Sequence, residues 1–117
     1  MRAKILNASA GSGKTYQLAY KYVRDVVEQP SIYRHILAVT FTNKATEEMK
    51  SRILKEIHLL ASGGESSYLE NLCRELDMDA ATVRRRAAEV RSKILHDYSR
   101  FTVLTIDTFF QRILRAF

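Results

Sequence analysis

Near the front of the chain, Gly11-Ser12-Gly13-Lys14-Thr15 sets two glycines, a lysine and a hydroxyl on neighbouring positions. That combination suits a phosphate. The glycines let backbone N–H groups turn inward around an anion. Lys14 would reach the β and γ oxygens of a nucleotide, and the Thr15 hydroxyl would hold Mg²⁺. The apolar run Ile5-Leu6 in front and helical periodicity behind place Ala8 to Thr15 between a strand and a helix. The helix then aims its free donors and positive dipole end at the same spot. This reading assigns Ala8, Ser9, Ala10, Gly11, Ser12, Gly13, Lys14 and Thr15 to phosphate binding, with Lys14 and Thr15 as the catalytic pair and Thr15 as the metal ligand. Ala8 departs from the usual G-x-x-x-x-G-K-[ST] pattern at its first position. The competing reading is a flexible Gly/Ser turn whose lysine is merely solvated.

A second group is Thr40-Phe41-Thr42-Asn43, directly after the apolar run Ile36-Leu37-Ala38-Val39. Ligands of open α/β sheets gather at the C-terminal ends of strands. An exposed Phe there offers a base a stacking face, and Thr and Asn offer neutral donors to a phosphate. The residues themselves leave a second possibility equally open, in which Phe41 is core and Asn43 only caps a helix.

The elements that would position these groups follow from periodicity. Residues 3 to 7 read as a first strand. Residues 14 to 28 read as a helix with Leu18, Tyr22 and Val26 inward, ended by Pro30. The run at 36–39 is apolar on both alternating faces, which predicts a parallel strand covered by helices on both sides. Thr42 or Asn43 can cap a helix with Ala45, Met49, Ile53, Ile57 and Leu60 as its stripe and Glu47 and Glu48 in its first turn, stopped by Ser62-Gly63-Gly64. Helices ending near Asp77 and starting near Asp79 then form a helical insertion over about 62–98. The second keeps Val83, Ala87, Val90 and Ile94 inward, and Arg84, Arg85, Arg86, Arg91 and Lys93 populate its other faces. A solvated, partly salt-bridged surface is favoured there over a nucleic-acid groove. Phe101 to Ile106 reads as a third strand, and Asp107 or Thr108 would cap a helix over 109–117.

The bulk properties set limits. With 117 residues the chain is one domain at most, and 46% hydrophobic content is ordinary for a globular protein. The charge of +6 favours polyanionic partners. A single cysteine, Cys73, excludes an intrachain disulfide and a multi-cysteine zinc site, and His35, His58 and His96 have no ligand spacing. No apolar run is long enough to span a membrane and no secretion signal is visible, so a cytoplasmic location is expected.

Three stretches in this order resemble the start of superfamily 1 DNA helicases, the UvrD/RecB-like group that includes RecB- and AddA-type subunits of helicase-nucleases of the exonuclease V type. Ala8 to Thr15 looks like that group's first motif, where an opening Ala is common. Leu37 to Thr46 is similar to its T-F-T-N-K-A motif. Val103 to Phe110 resembles its T-x-H-[SG]-F motif, with Asp107 in place of the usual His. The resemblance implies an α/β P-loop NTPase fold, the RecA-like motor domain 1A, with a partial parallel sheet flanked by helices. It implies ATP and Mg²⁺ as cofactors, and single- or double-stranded DNA as partner, touched by Phe41, Thr42, Asn43, Thr105 and Phe109. A partner helicase-nuclease subunit is also implied.

The acidic motif that completes hydrolysis in this family is not visible, so the chain is expected to be an N-terminal piece, inactive alone and able to self-associate through an unpaired sheet edge. Two rival readings stay open. One is another P-loop phosphotransferase, such as a small-molecule kinase; a GTPase is disfavoured because Asn43-Lys44-Ala45-Thr46 lacks the Asp of N-K-x-D. The other is a non-catalytic binding or assembly module.

Overall fold

In a computed structural model of the chain, the backbone is described for residues 4–7 and 12–116, and the side chains from Thr15 to Ala116. The element order is β1 (Lys4–Asn7), α1 (Ser12–Glu28), a 3₁₀ helix (Pro30–His35), β2 (Ile36–Thr40), α2 (Asn43–Ser62), α3 (Leu69–Leu76), α4 (Ala80–His96), a second 3₁₀ turn (Tyr98–Arg100), β3 (Thr102–Thr105) and α5 (Ile106–Arg115). The three strands form one sheet in the order β1-β2-β3. Both pairings are parallel, with Leu6 opposite Ala38 and Ala38 opposite Val103.

Helices carry most of the core. Leu18, Tyr22 and Val26 of α1 are buried as their spacing predicts, and Ala19, Val23 and Val27 widen that stripe. Met49, Ile53, Ile57 and Leu60 of α2 and Val83, Ala87, Val90 and Ile94 of α4 meet them in a single cluster. Each large aliphatic side chain removed from water there is worth ~1.5–3 kcal/mol. The cluster reaches one face of the sheet through Ile36, Ala38 and Val103.

The opposite face also has a helix over it, as expected, and Val39 there is buried, but the cover is thin. Leu37 and Leu104 are only half-buried and line an open cavity of about 230 Å³ with Phe109 and Arg112. α5 lies over that face, yet none of its residues is buried.

Several local expectations are corrected. Pro30 does end α1, but it also opens a 3₁₀ helix, a place its fixed φ suits. α2 begins at Asn43, so its first turn contains no acidic residue, and Glu47 and Glu48 come later. Thr42 is its cap, accepting the Ala45 amide at 3.0 Å. At the other end Gly63, with φ +83°, takes the left-handed position that closes the helix. The third strand spans only Thr102–Thr105, and Thr105, rather than Asp107 or Thr108, caps α5. Among the described residues no helix is long and apolar enough to cross a membrane.

Candidate functional site

The register places Asn7 opposite Val39 and Thr40 opposite Thr105. All three strands therefore leave the sheet along one edge.

At the first exit, Ala8, Ser9, Ala10 and Gly11 lie outside the described residues. Ser12, Gly13, Lys14 and Thr15 begin α1, a helix with no acidic side chain in its first turn. Its leading N–H groups and positive dipole end are thus unopposed by a carboxylate from that turn, which fits an anion. Thr15 is buried, at 6% exposure. It lines a cavity of about 410 Å³ shared with Glu47, Glu48, Ser51, Arg52 and Lys55 of α2. The lining thus brings two carboxylates and two cations together beside the Thr15 hydroxyl.

At the second exit the turn is pinned from within. The hydroxyls of Thr40 and Thr46 sit against each other in the core. Both also reach the Thr42 carbonyl, at 3.2 and 3.1 Å. With its flanks held, Phe41 is turned outward and is 50% exposed. Thr42 and Asn43 beside it are exposed as well. Of the two readings open from sequence, Phe41 in the core is therefore excluded.

At the third exit, the Thr105 hydroxyl accepts the Thr108 amide at 3.3 Å, and Asp107 is exposed. Phe41, Thr42, Asn43 and Thr105 thus share the edge where α1 begins. Phe109 faces the sheet instead, beside Leu37 and Leu104, its ring 6.0 Å from that of Phe110.

Sequence reasoning missed what holds α1 in place. Tyr20 and Arg24 of α1 both donate to Glu75 of α3, at 2.8 and 3.3 Å. These bonds, the Tyr20 hydroxyl first, hold the Glu75 carboxyl below the usual range. Burial pushes the Tyr20 and Tyr68 hydroxyls well up, so both remain donors. Arg84 and Arg86 of α4 also depart from the solvated face expected of them, while Arg85 is exposed as expected. Arg84 donates to the carbonyls of Leu60 and Gly64, both at 3.1 Å, and Arg86 to those of Val27 and Glu28. Only the i, i+4 spacing of Arg52 and Glu56, an ion pair at 3.8 Å, was a signal readable in advance.

The sequence profile of the UvrD/REP helicase N-terminal domain matches residues 2–117. The chain is 29% identical to the RecBCD enzyme subunit RecB of Escherichia coli (strain K12) over 119 aligned residues, covering 95% of this chain and 10% of that protein. It is 31% identical to one of the subunits of the ATP-dependent helicase/nuclease of Lactobacillus delbrueckii subsp. bulgaricus, over 97% of this chain and 8% of that protein. A 49-residue stretch, 42% of this chain and 7% of the relative, is 47% identical to the ATP-dependent DNA helicase PcrA of Bacillus subtilis (strain 168). The chain thus spans about a tenth of the length of the curated relatives it matches. No solved structure matches it significantly.

Proposed function

The chain belongs to the UvrD/REP helicase N-terminal domain family, and from that premise we propose that it is the nucleotide-binding start of an ATP-dependent DNA helicase motor. In this reading it opens a RecA-like motor domain 1A whose parent steps along single-stranded DNA during repair or recombination. Backbone donors from Ala8 to Gly13 cradle the phosphates of ATP, Lys14 neutralises their charge, and Thr15 holds Mg²⁺. Phe41, Thr42, Asn43 and Thr105 receive the DNA strand, with Phe109 behind them. Residues 62–98 are a helical insertion, and a further helicase-nuclease subunit is the parent's partner in the cytoplasm.

One observation carries this reading. The start of α1 and the outward-turned Phe41 lie on the same edge of a parallel sheet, one strand apart. A nucleotide at the first exit and a DNA base at the second would be neighbours, the arrangement a motor needs to couple hydrolysis to movement.

The direct test is binding of a fluorescent ATP analogue with Mg²⁺. The wild-type chain binds it, and Lys14→Ala lowers affinity by at least tenfold. Equal binding by the two proteins overturns the reading. Hydrolysis by the 117-residue chain alone is expected to be negligible; Mg²⁺-dependent turnover that disappears in Lys14→Ala overturns that part. Phosphoryl transfer to a metabolite, indifferent to single-stranded DNA, would point to a different P-loop enzyme. The outer side of β1 has no strand beside it among the described residues, and such an edge pairs with other chains. Self-association at high concentration follows, and a strict monomer by light scattering excludes it.

A further inference from the structure

Five residues from three stretches of chain close a ring beside the first turn of α1. Tyr68, with 1% exposure, donates its hydroxyl to the Tyr16 carbonyl at 2.8 Å. Its own amide donates to Ser66 Oγ at 3.1 Å. The Ser66 hydroxyl donates to Glu56 Oε1 at 2.7 Å, and the other Glu56 oxygen faces Arg52 at 3.8 Å. The Arg52 guanidinium lies 5.0 Å from the centre of the Tyr16 ring, where the circuit began. The rings of Tyr16 and Tyr68 also meet edge-on at 5.1 Å.

Two features set this ring apart from general packing. Glu56 is 3% exposed, and a carboxylate that deep is tolerated only while its partners hold their geometry. The residue at the junction, Tyr16, directly follows Thr15, and Thr15 and Arg52 line the same cavity. A shift of the first turn of α1 therefore pulls on the loop at residues 64–68 through a backbone carbonyl and an aromatic ring at once.

We infer that Tyr68 is a positioning residue: it sets the first turn of α1 for phosphate and carries occupancy of that turn to the loop and to α3 behind it. The inference rests on the nucleotide reading of Gly11 to Thr15. Coupling of this kind is reciprocal, so loosening the loop weakens nucleotide binding as well. Tyr68→Phe keeps the ring and removes the hydroxyl that bonds the Tyr16 carbonyl and faces Arg52.

The test is hydrogen exchange followed by mass spectrometry on the 117-residue chain, with and without saturating ATP and Mg²⁺. In wild type, ATP slows exchange over both 12–20 and 64–72. Tyr68→Phe is expected to bind ATP roughly three- to tenfold more weakly, the scale of one hydrogen bond, and at saturation to protect 12–20 alone. Tyr33→Phe loses a comparable hydroxyl, bonded to the Lys93 carbonyl and Asp97 rather than to the start of α1, and is expected to behave as wild type. Should Tyr68→Phe not fold, Ser66→Ala opens the same ring at the loop and decides the question by the same protection pattern. Retained protection of 64–72 in the variant overturns the positioning role while leaving the nucleotide reading intact. A matching loss of affinity in Tyr33→Phe also overturns it, since the effect would then be general destabilisation. Binding by Lys14→Ala as tight as wild type, or none by wild type, sinks the nucleotide reading and this inference with it.

Discussion

The guanidinium of Arg84 donates to the carbonyl of Leu60 across 3.1 Å, so a side chain of α4 closes the C-terminal end of α2. The last carbonyls of a helix have no partner within it, and a cation there also complements the dipole. Arg84→Met should therefore cost about 1.5–3 kcal/mol, the range for hydrogen bonds to charged groups. Its neighbour Arg85 is exposed, and Arg85→Met should fall within about 0.5 kcal/mol of wild type. Urea unfolding of the two variants measures this; equal losses would mean that the capping bond contributes nothing of its own.

Tyr22 presents the opposite case. Its hydroxyl is buried with no hydrogen-bond partner among the described residues, and burial, ahead of the nearby Tyr33, pushes its ionisation well up. The ring meets Phe101 edge-on at 5.6 Å, and Tyr22→Phe would keep that contact while deleting a desolvated polar group. The variant is expected to be as stable as wild type or more stable by up to about 1 kcal/mol. A loss of more than about 1 kcal/mol in thermal unfolding would reveal a partner for that hydroxyl.

Asp79 gives α4 a pH dependence. Its carboxylate caps the helix by accepting the Thr82 amide at 2.8 Å, and the Thr82 hydroxyl, then this amide, holds its pKa below the ordinary value. A carboxyl that ionises more readily folded than unfolded contributes stability above the ordinary Asp value of about 3.9. That contribution is lost as pH falls through the lower folded value. Asp79→Asn retains a capping oxygen without a titrating group. It should match wild type near neutral pH and unfold less steeply below about pH 4. Identical acid limbs in the two proteins would show that the cap does not titrate with folding.

The parts of the fold governed by near neighbours in sequence were legible from the chain alone. The start of α4 near Asp79, the stop at Gly63 and the buried stripe from Val83 to Ile94 are local patterns, and each was found where spacing placed it. What escaped depended on distant partners. The 3₁₀ helix after Pro30 is anchored by Tyr33, whose hydroxyl reaches the carbonyl of Lys93. Arg84 and Arg86 read as part of a solvated face because a backbone carbonyl on another helix leaves no trace in composition. At the site, the T-F-T-N turn was recognisable, but whether Phe41 pointed in or out was decided by the Thr40 and Thr46 hydroxyls packed beneath it.

That outward Phe41 yields the sharpest test of the DNA edge. Half of its surface already faces water, so Phe41→Ala should leave the unfolding midpoint nearly unchanged. If a base stacks on the ring, the same substitution removes about 1–3 kcal/mol of binding, roughly a 5- to 150-fold weaker affinity for single-stranded DNA. Stacking carries no charge, so the slope of affinity against salt should stay the same, and Phe41→Trp should bind at least as well as wild type. Phe110 is the internal control: it is equally exposed, at 54%, but sits on α5 rather than on the turn after β2. Fluorescence anisotropy with a labelled oligothymidine should show Phe110→Ala binding as wild type. If the two alanine variants lose affinity alike, general surface hydrophobicity holds the DNA, and the strand-end edge is not its site.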